Sequence, residues 1–204
     1  AYDPTSEVVL SAYSRHDSYL YFQLSDVGYP GVVLRRDLLV SFDERLIIVA
    51  DTFASAEPVN VRQHWHLNPG AGHRRTGDSV YTVTPKSAMS FAFAGTSELS
   101  VVRASESPIQ GWYSPSWRKK VGNRVISGAS NGEAGTIVTV ISYGDDSDSV
   151  SVETDVRSEE GLRTVRVQRS NELYTATFAS EWGHFGRGLL DGEAVRRVIE
   201  SEAP

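Results

Sequence analysis

The sequence contains no cysteine among its 204 residues. Disulfide bonds therefore do not stabilise this fold, and thiol usage gives no information about the redox compartment. No apolar run approaches the roughly 20 residues that a membrane-spanning helix needs. The letters Gly-x-Ser-x-Gly occur at residues 128–132 (GASNG), but they end a predicted strand and no helix is predicted after them, so they do not form a nucleophile elbow. Since cysteine is missing as well, nucleophilic catalysis has little support.

The sequence also lacks an excess of positive charge, because its formal net charge is −6 at pH 7. Such a balance excludes a nucleic-acid-binding protein that acts through overall electrostatics. The 40% hydrophobic and 23% charged residues are ordinary for a folded globular protein. The length suits a single β-sandwich domain over residues 1–204. The opening, AYDPTSEVVL, has neither an initiator methionine nor a signal segment, so we expect a mature chain or a piece cut from a longer protein.

Short alternating and β-branched segments, separated by polar turns, dominate the chain and predict strands. The fold class is therefore all-β: a large antiparallel β-sandwich of about a dozen strands. Residues 192–202 have a helical spacing of apolar side chains and predict at most a short C-terminal helix. The glycine-rich residues 181–188 predict a tight turn. The predicted strands are residues 8–13, 19–24, 32–42, 46–51, 59–67, 79–84, 89–93, 99–103, 124–130, 136–143, 150–154, 162–168 and 173–178.

The segment from residue 59 to residue 67 is the most informative of these strands. Side chains alternate between the two faces of a strand, so Arg62, His64 and His66 share one face. Gln63 and Trp65 point the other way. Packing alone does not explain a strand face that carries a guanidinium and two imidazoles. We expect this face to meet an anion, a metal or an acidic sugar.

A metal is the alternative ligand for the same strand. Histidines two residues apart can present two nitrogens to one ion, and Asp51, at the end of the preceding strand, is a candidate further ligand beside His66. Zinc, the possible cofactor, takes three or four such ligands. Two histidines supply only part of that set, and hydrogen-bonded surface histidines explain the pattern without a cofactor.

A second candidate region is GWYSPSWRKK at residues 111–120, where nothing alternates and a loop is expected. Aromatic rings beside cations suit an acidic carbohydrate, because sugar C–H surfaces lie on the rings and guanidinium pairs with carboxylate or sulfate. Trp112 and Tyr113 are the candidate substrate-binding residues here. The alternative is that Trp112 and Trp117 close the end of the sandwich while the cations are solvated, which is the preferred interpretation of Trp117.

Four segments together resemble the C-terminal β-sandwich of the heparinase II/III-like polysaccharide lyases. They are VLRRDLL at residues 33–39, LIIVAD at 46–51, QHWHL at 63–67 and GWYSP at 111–115. Their order and spacing carry the resemblance, which extends from about Tyr13 to Ile141.

The resemblance implies a larger enzyme in which an N-terminal (α/α) toroid supplies most catalytic residues for β-elimination on a uronic-acid polysaccharide. This chain would be the accessory domain, with that helical domain and an acidic polysaccharide, such as a glycosaminoglycan, as its partners. The usual substrates of the family imply an extracytoplasmic location: periplasmic, secreted or at the cell surface. Some members bind a structural metal at the position of Asp51, while His64 and His66 match the family's strand.

One departure from the family bears on catalysis. Members often have a histidine at the start of the strand that leads into the arginines, but residues 31–35 read GVVLR. We therefore assign no catalytic residue and expect the isolated chain to be inactive. Two other functions remain open: a free-standing carbohydrate-binding module and a purely structural scaffold.

Overall fold

The computed structural model describes residues 8–84, 87–144, 150–157, 162–169, 171–178 and 183–189. These residues form strands and no helix, so none of them belongs to a helix with the length and apolarity that crossing a membrane requires. The predicted helix at residues 192–202 lies outside the described residues. The strands are β1 (Val8–Arg15), β2 (Tyr19–Tyr29), β3 (Val32–Ser41), β4 (Leu46–His66), β5 (Gly72–Thr76), β6 (Ser79–Thr84), β7 (Ser87–Ala94), β8 (Glu98–Arg103), β9 (Ser105–Glu106), β10 (Ile109–Gln110), β11 (Trp112–Tyr113), β12 (Val121–Gly122), β13 (Arg124–Tyr143), β14 (Val150–Arg157), β15 (Leu162–Arg169), β16 (Glu172–Phe178) and β17 (Gly183–Leu189).

Two antiparallel sheets build the sandwich, as the sequence predicts. The larger sheet has nine strands in the order β1-β2-β3-β4-β13-β7-β6-β5, and β8 pairs separately with β13. The smaller sheet has four strands in the order β14-β15-β16-β17. Two short hairpins, β9 with β10 and β11 with β12, lie between β8 and β13 in the chain.

The inner core lies between these two sheets. Tyr21, Ile48 and Val140 of the large sheet pack against Val165 and Phe178 of the small sheet, and all five side chains are fully buried. The rings of Tyr21 and Phe178 stack with their centroids 6.0 Å apart. This apolar burial explains why alternate residues of β2, β4 and β13 are hydrophobic.

A large irregularity in the pairing of β4 with β13 folds the large sheet back over its own outer face. Ala54 pairs with Ala134 and Val59 with Gly132, so β4 advances five residues where β13 advances two. Gly132 has a φ of +149°, which favours glycine at this bend. We call the strand segments beyond it, residues 59–66, 98–103 and 124–131, the folded-back layer.

The folded-back layer encloses a second core. Trp65 and Ile126 of this layer pack with Phe91 and Phe93 of β7. The indole N–H of Trp65 donates to Thr139 Oγ1 at 3.2 Å, and Thr139 Oγ1 donates to Gln63 Oε1 at 2.5 Å. Both faces of the central strands are therefore covered, as their nearly continuous hydrophobic runs require.

The structure differs from the sequence prediction mainly in how strands are joined. Residues 46–51 and 59–67 belong almost entirely to one bent strand, β4, and residues 124–130 and 136–143 are both part of β13. The predicted turn at residues 181–188 is wrong for its later part, because Gly183–Leu189 is β17, paired along its length with β16.

A buried charge joins the two sheets. Asp37 is fully buried and accepts hydrogen bonds from Tyr21 (2.8 Å), Gln23 (3.1 Å), Arg35 (3.1 Å) and Arg163 of the small sheet (3.1 Å). Burial and the nearby carboxylate raise the pKa of Tyr21, so its hydroxyl remains protonated and donates. Burial lowers the pKa of Arg163, and the Asp37 carboxylate opposes that effect.

Replacing Asp37 with asparagine should destabilise the sandwich strongly. Asp37→Asn leaves two guanidinium groups without their buried counter-ion, and such losses cost about 3–5 kcal/mol. The control is Glu98→Gln, which breaks the exposed ion pair of Glu98 with Arg62 (3.4 Å) and should cost about 0–1 kcal/mol. The measurement is urea unfolding of both variants; equal, small losses would show that the Asp37 network does not hold the sheets together.

Candidate functional site

The strand with two histidines lies in the folded-back layer with its predicted alternation. Arg62, His64 and His66 are exposed, whereas Gln63 is buried and Trp65 is half-buried on the reverse side. The second core explains this register, because Gln63 and Trp65 bond to Thr139 beneath the layer. We call the exposed side of this strand, with Arg62, His64 and His66, the histidine face.

His64 connects the histidine face to the neighbouring loop. Its Nδ1 lies 2.8 Å from Ser127 Oγ on β13 and 3.0 Å from Gln110 Nε2. Because the amide N–H of Gln110 donates, Nδ1 accepts and the neutral ring carries its proton on Nε2. Burial, followed by the positive charges of His66 and Arg62, lowers the pKa of His64. The ring therefore serves as a neutral hydrogen-bond donor.

The loop itself, residues 104–122, is clamped at its base. The backbone carbonyl of Gly111 accepts from Ala104 N (3.0 Å) and Asn123 N (2.9 Å). Gly111 has a φ of +77°, and a Cβ there would lie 2.8 Å from Ala104 N, so only glycine fits. The buried Asn123 side chain donates to the carbonyl of Leu67, just beyond β4. We call residues 104–122 the aromatic loop.

The two tryptophans of this loop lie in different environments. Trp112 is half-buried, its N–H donates to Ser105 O at 2.9 Å, and Lys120 Nζ lies 3.6 Å from its ring centroid. Its ring thus organises the loop and has a cation over one face. Trp117 is 85% exposed, so the interpretation that it closes the sandwich end is wrong. Tyr113 is 46% exposed.

Arg62 also lines a pocket of about 250 Å³ beside β3. The pocket lies where the folded-back strand meets β1–β3, and its wall includes Arg35, Arg36, Asp26 and Asp51. Arg36 holds both oxygens of Asp51, at 2.6 and 2.7 Å, and this bidentate bond raises the pKa of Arg36. The wall therefore has three guanidinium groups, and each is paired with a carboxylate: Arg35 with Asp37, Arg36 with Asp51 and Arg62 with Glu98.

The predicted metal ligands do not meet. Asp51 lies in the Arg62 pocket with both oxygens bonded to Arg36, whereas His66 lines a different cavity of about 810 Å³, with Trp65, Met89 and Phe91. No group of three or more histidine, aspartate or glutamate side chains in the described part of the chain is placed to hold an ion. Asp51 and His66 therefore do not share one site in this structure, and metal binding by the chain stays a prediction.

The histidine face offers guanidinium and imidazole groups, and Gln110 brings the aromatic loop, with its exposed Tyr113 and Trp117, into contact with His64. Such groups can pair with or hydrogen-bond to an anion. Sequence reasoning missed Ser127 and Gln110, which orient His64. Both lie far from it in the chain, and only the pairing of β4 with β13 brings Ser127 opposite His64. A serine and a glutamine carry no sequence signal that would have identified them.

We expect His64 to titrate below its ordinary pKa of 6.5. The folded protein holds this proton less tightly than the unfolded chain does. Neutral His64 therefore contributes to stability above pH 6.5, and that contribution is lost as the pH falls through the lowered pKa. NMR titration of the ring should show the low midpoint, and Arg62→Gln should raise it part of the way. Arg15→Gln, on the distant edge strand β1, is the control. A midpoint at or above 6.5 would contradict the assigned environment.

Comparison with known proteins identifies the fold. Heparan sulfate lyase HepC from Pedobacter heparinus superposes with a TM-score of 0.70 at 14% identity, over 87% of this chain and 29% of that protein. A structure of heparinase III gives 0.64 at 12% identity, over 91% of this chain and 27% of that one. Another heparinase III gene product gives 0.62 at 17% identity, over 90% and 28%. At these identities the likeness shows a shared fold.

The chain thus spans less than a third of the length of the structures that it matches. No curated protein sequence matches it. The family model described as heparinase II/III-like, C-terminal, matches residues 7–176, which is most of the chain and covers the large sheet, β14, β15 and most of β16. The chain therefore belongs to the heparinase II/III-like C-terminal domain family.

Proposed function

We propose that this chain is the accessory β-sandwich of a polysaccharide lyase, and that its histidine face and aromatic loop bind an acidic polysaccharide. A helical domain of the same parent protein would carry out the β-elimination. Family membership and the lyases among the similar structures support this assignment. The location that follows is extracytoplasmic, where such polysaccharides occur.

One observation carries the proposal: His64 is bonded both to its own sheet and to the aromatic loop. Through Gln110, the aromatic loop contacts the histidine face, so the two regions adjoin. Arg62 is exposed, forms an exposed ion pair with Glu98 and donates to Asn60 Oδ1. An anionic sugar group can therefore compete for its guanidinium.

The chemistry of these groups matches an acidic sugar chain. The fork of Arg62 pairs with sulfate or carboxylate, and the Nε2–H of neutral His64 donates to a hydroxyl or an acidic oxygen. The exposed rings of Tyr113 and Trp117 offer apolar surface to sugar C–H groups. Binding through such exposed cations should weaken as salt rises, because their attraction is screened.

The site provides some of the groups that β-elimination requires, and a second domain would provide the others. β-Elimination requires a base for the sugar proton, an acid for the leaving oxygen and neutralisation of the carboxylate. The histidine face supplies neutralisation and hydrogen bonding. A free-standing carbohydrate-binding module is the second candidate function, and the exposed Tyr113 and Trp117 favour it.

We expect the 204-residue chain to bind a heparan sulfate tetrasaccharide weakly, with NMR shift changes at His64, Gln110 and Tyr113. Arg62→Gln should weaken binding about tenfold, the equivalent of about 1.4 kcal/mol. Trp112→Ala should also weaken it, because the indole supports the loop. Arg15→Gln removes the same charge from β1, and Phe42→Ala removes an aromatic ring that is 46% exposed; neither should matter. Shift changes confined to other surfaces, or equal losses in the controls, would contradict the assigned surface.

A separate experiment tests the accessory role. The 204-residue chain alone should not generate the ultraviolet absorbance of an unsaturated uronate from heparan sulfate, whereas the product of the complete reading frame should. Elimination by the isolated chain would refute the proposal that a second domain carries out the reaction. A complete product that binds the polysaccharide without cleaving it would favour the carbohydrate-binding module.

A further inference from the structure

A cavity of about 810 Å³ lies where β4 ends, and the proposed function does not use it. On the side of the second core it is lined by Phe91 and Ile141, which are buried, and by Met89, which is 37% exposed. Trp65 also lines it, with its ring centroid 6.2 Å from that of Phe91. The turn at residues 67–71 and the adjoining ends of β6 and β7 complete the lining, and we call this space the end cavity.

The turn that follows β4 is fixed by hydrogen bonds on both sides. Within the turn, Ala71 N donates to Asn68 O at 3.0 Å. Leu67 N donates to Arg124 O at 2.8 Å, and Leu67 O accepts from the buried side chain of Asn123 at 3.1 Å. The guanidinium of Arg124 donates to the carbonyl of Ala71. The end cavity is therefore preformed, as small-molecule sites usually are.

The lining of the end cavity is apolar and aromatic, with a few polar groups. Its described residues include no carboxylate, ammonium or guanidinium group. The indole N–H of Trp65 is used by Thr139, so its ring offers apolar surface. His66 and Asn68 are exposed, and within the described part of the chain their side chains have no hydrogen-bond partner. An uncharged ligand with both an apolar face and hydrogen-bonding groups fits this combination.

We propose that the end cavity binds one uncharged sugar residue, an inference that rests on the proposed function and extends it. A pyranose ring has a C–H face that packs against the rings of Trp65 and Phe91, and its hydroxyl groups bond to Asn68 and His66. Met89 is unbranched and adapts its shape to the ring. The volume of the cavity lies within the range of about 300–1,000 Å³ that small-molecule sites occupy.

His66 joins the end cavity to the histidine face, because it belongs to that face and also lines the cavity. Arg62 lies four residues earlier in the same strand, which is about 13 Å. A sugar chain with an acidic group at Arg62 therefore reaches the cavity within a few residues. A carboxylate in the cavity would be buried without a cation, so the combined surface favours polysaccharides in which uncharged residues accompany acidic ones.

Met89 is the only methionine in the sequence, so a ¹³C-labelled methionine methyl group gives a single NMR signal from the lining of the cavity. Titration of the 204-residue chain with the methyl β-glycoside of N-acetylglucosamine should shift this signal saturably. Asn68→Ala should weaken the binding several-fold, because it removes an amide that bonds to the sugar. The matched control is Asn131→Ala, which removes an exposed amide near the other end of the folded-back layer and should have no effect.

Two tetrasaccharides relate the cavity to the histidine face. One alternates glucuronate with N-acetylglucosamine, and the other contains galacturonate alone. Arg62→Gln should weaken the binding of both, because each offers a carboxylate to the guanidinium. Asn68→Ala should weaken several-fold only the binding of the mixed tetrasaccharide, which should also shift the Met89 signal.

The possible failures are distinguishable. If the mixed tetrasaccharide binds through Arg62 but neither shifts the Met89 signal nor responds to Asn68→Ala, this inference is overturned and the proposed function stands. Equal losses in Asn68→Ala and Asn131→Ala would overturn the inference as well. If the methyl glycoside shifts the Met89 signal but neither tetrasaccharide binds, the cavity is a sugar site and the proposed binding of an acidic polysaccharide is refuted.

Discussion

The fold depends on the bulge at which β4 and β13 turn back over their own sheet. Between the Ala54–Ala134 and Val59–Gly132 pairs β4 advances five residues and β13 only two, and the strands beyond this point cover Val49 and Phe53. The bend buries Gln63 and half-buries Trp65, and it leaves Arg62, His64 and His66 outside. The candidate binding surface is therefore a consequence of how the second core is closed.

Buried polar groups connect the two sheets to each other and the folded-back layer to the central strands. Asp37 joins the sheets through Arg163, and Thr139 ties the folded-back layer to the central strands through Gln63 and Trp65. Asp37, Gln63, Thr139 and Trp65 each have a hydrogen-bond partner, which is the condition for burying a polar group without a large penalty, whereas Nε of Arg163 has none.

Local patterns in the sequence predicted the fold class and the alternation around His64 and His66, because the side-chain period of a strand depends only on neighbouring residues. They did not predict that residues 46–66 form one strand, since a bulge is defined by its partner strand. They did not predict the contact of Gln110 with His64, or the separation of Asp51 from His66, for the same reason. Trp117 was misplaced because an aromatic residue in a loop has no periodicity that assigns it to core or surface.

The most direct measurement is a crystal structure of the complete reading-frame product with a heparan sulfate oligosaccharide. The account predicts acidic sugar groups within hydrogen-bond distance of Arg62 and His64. A sugar bound away from the folded-back layer would contradict it.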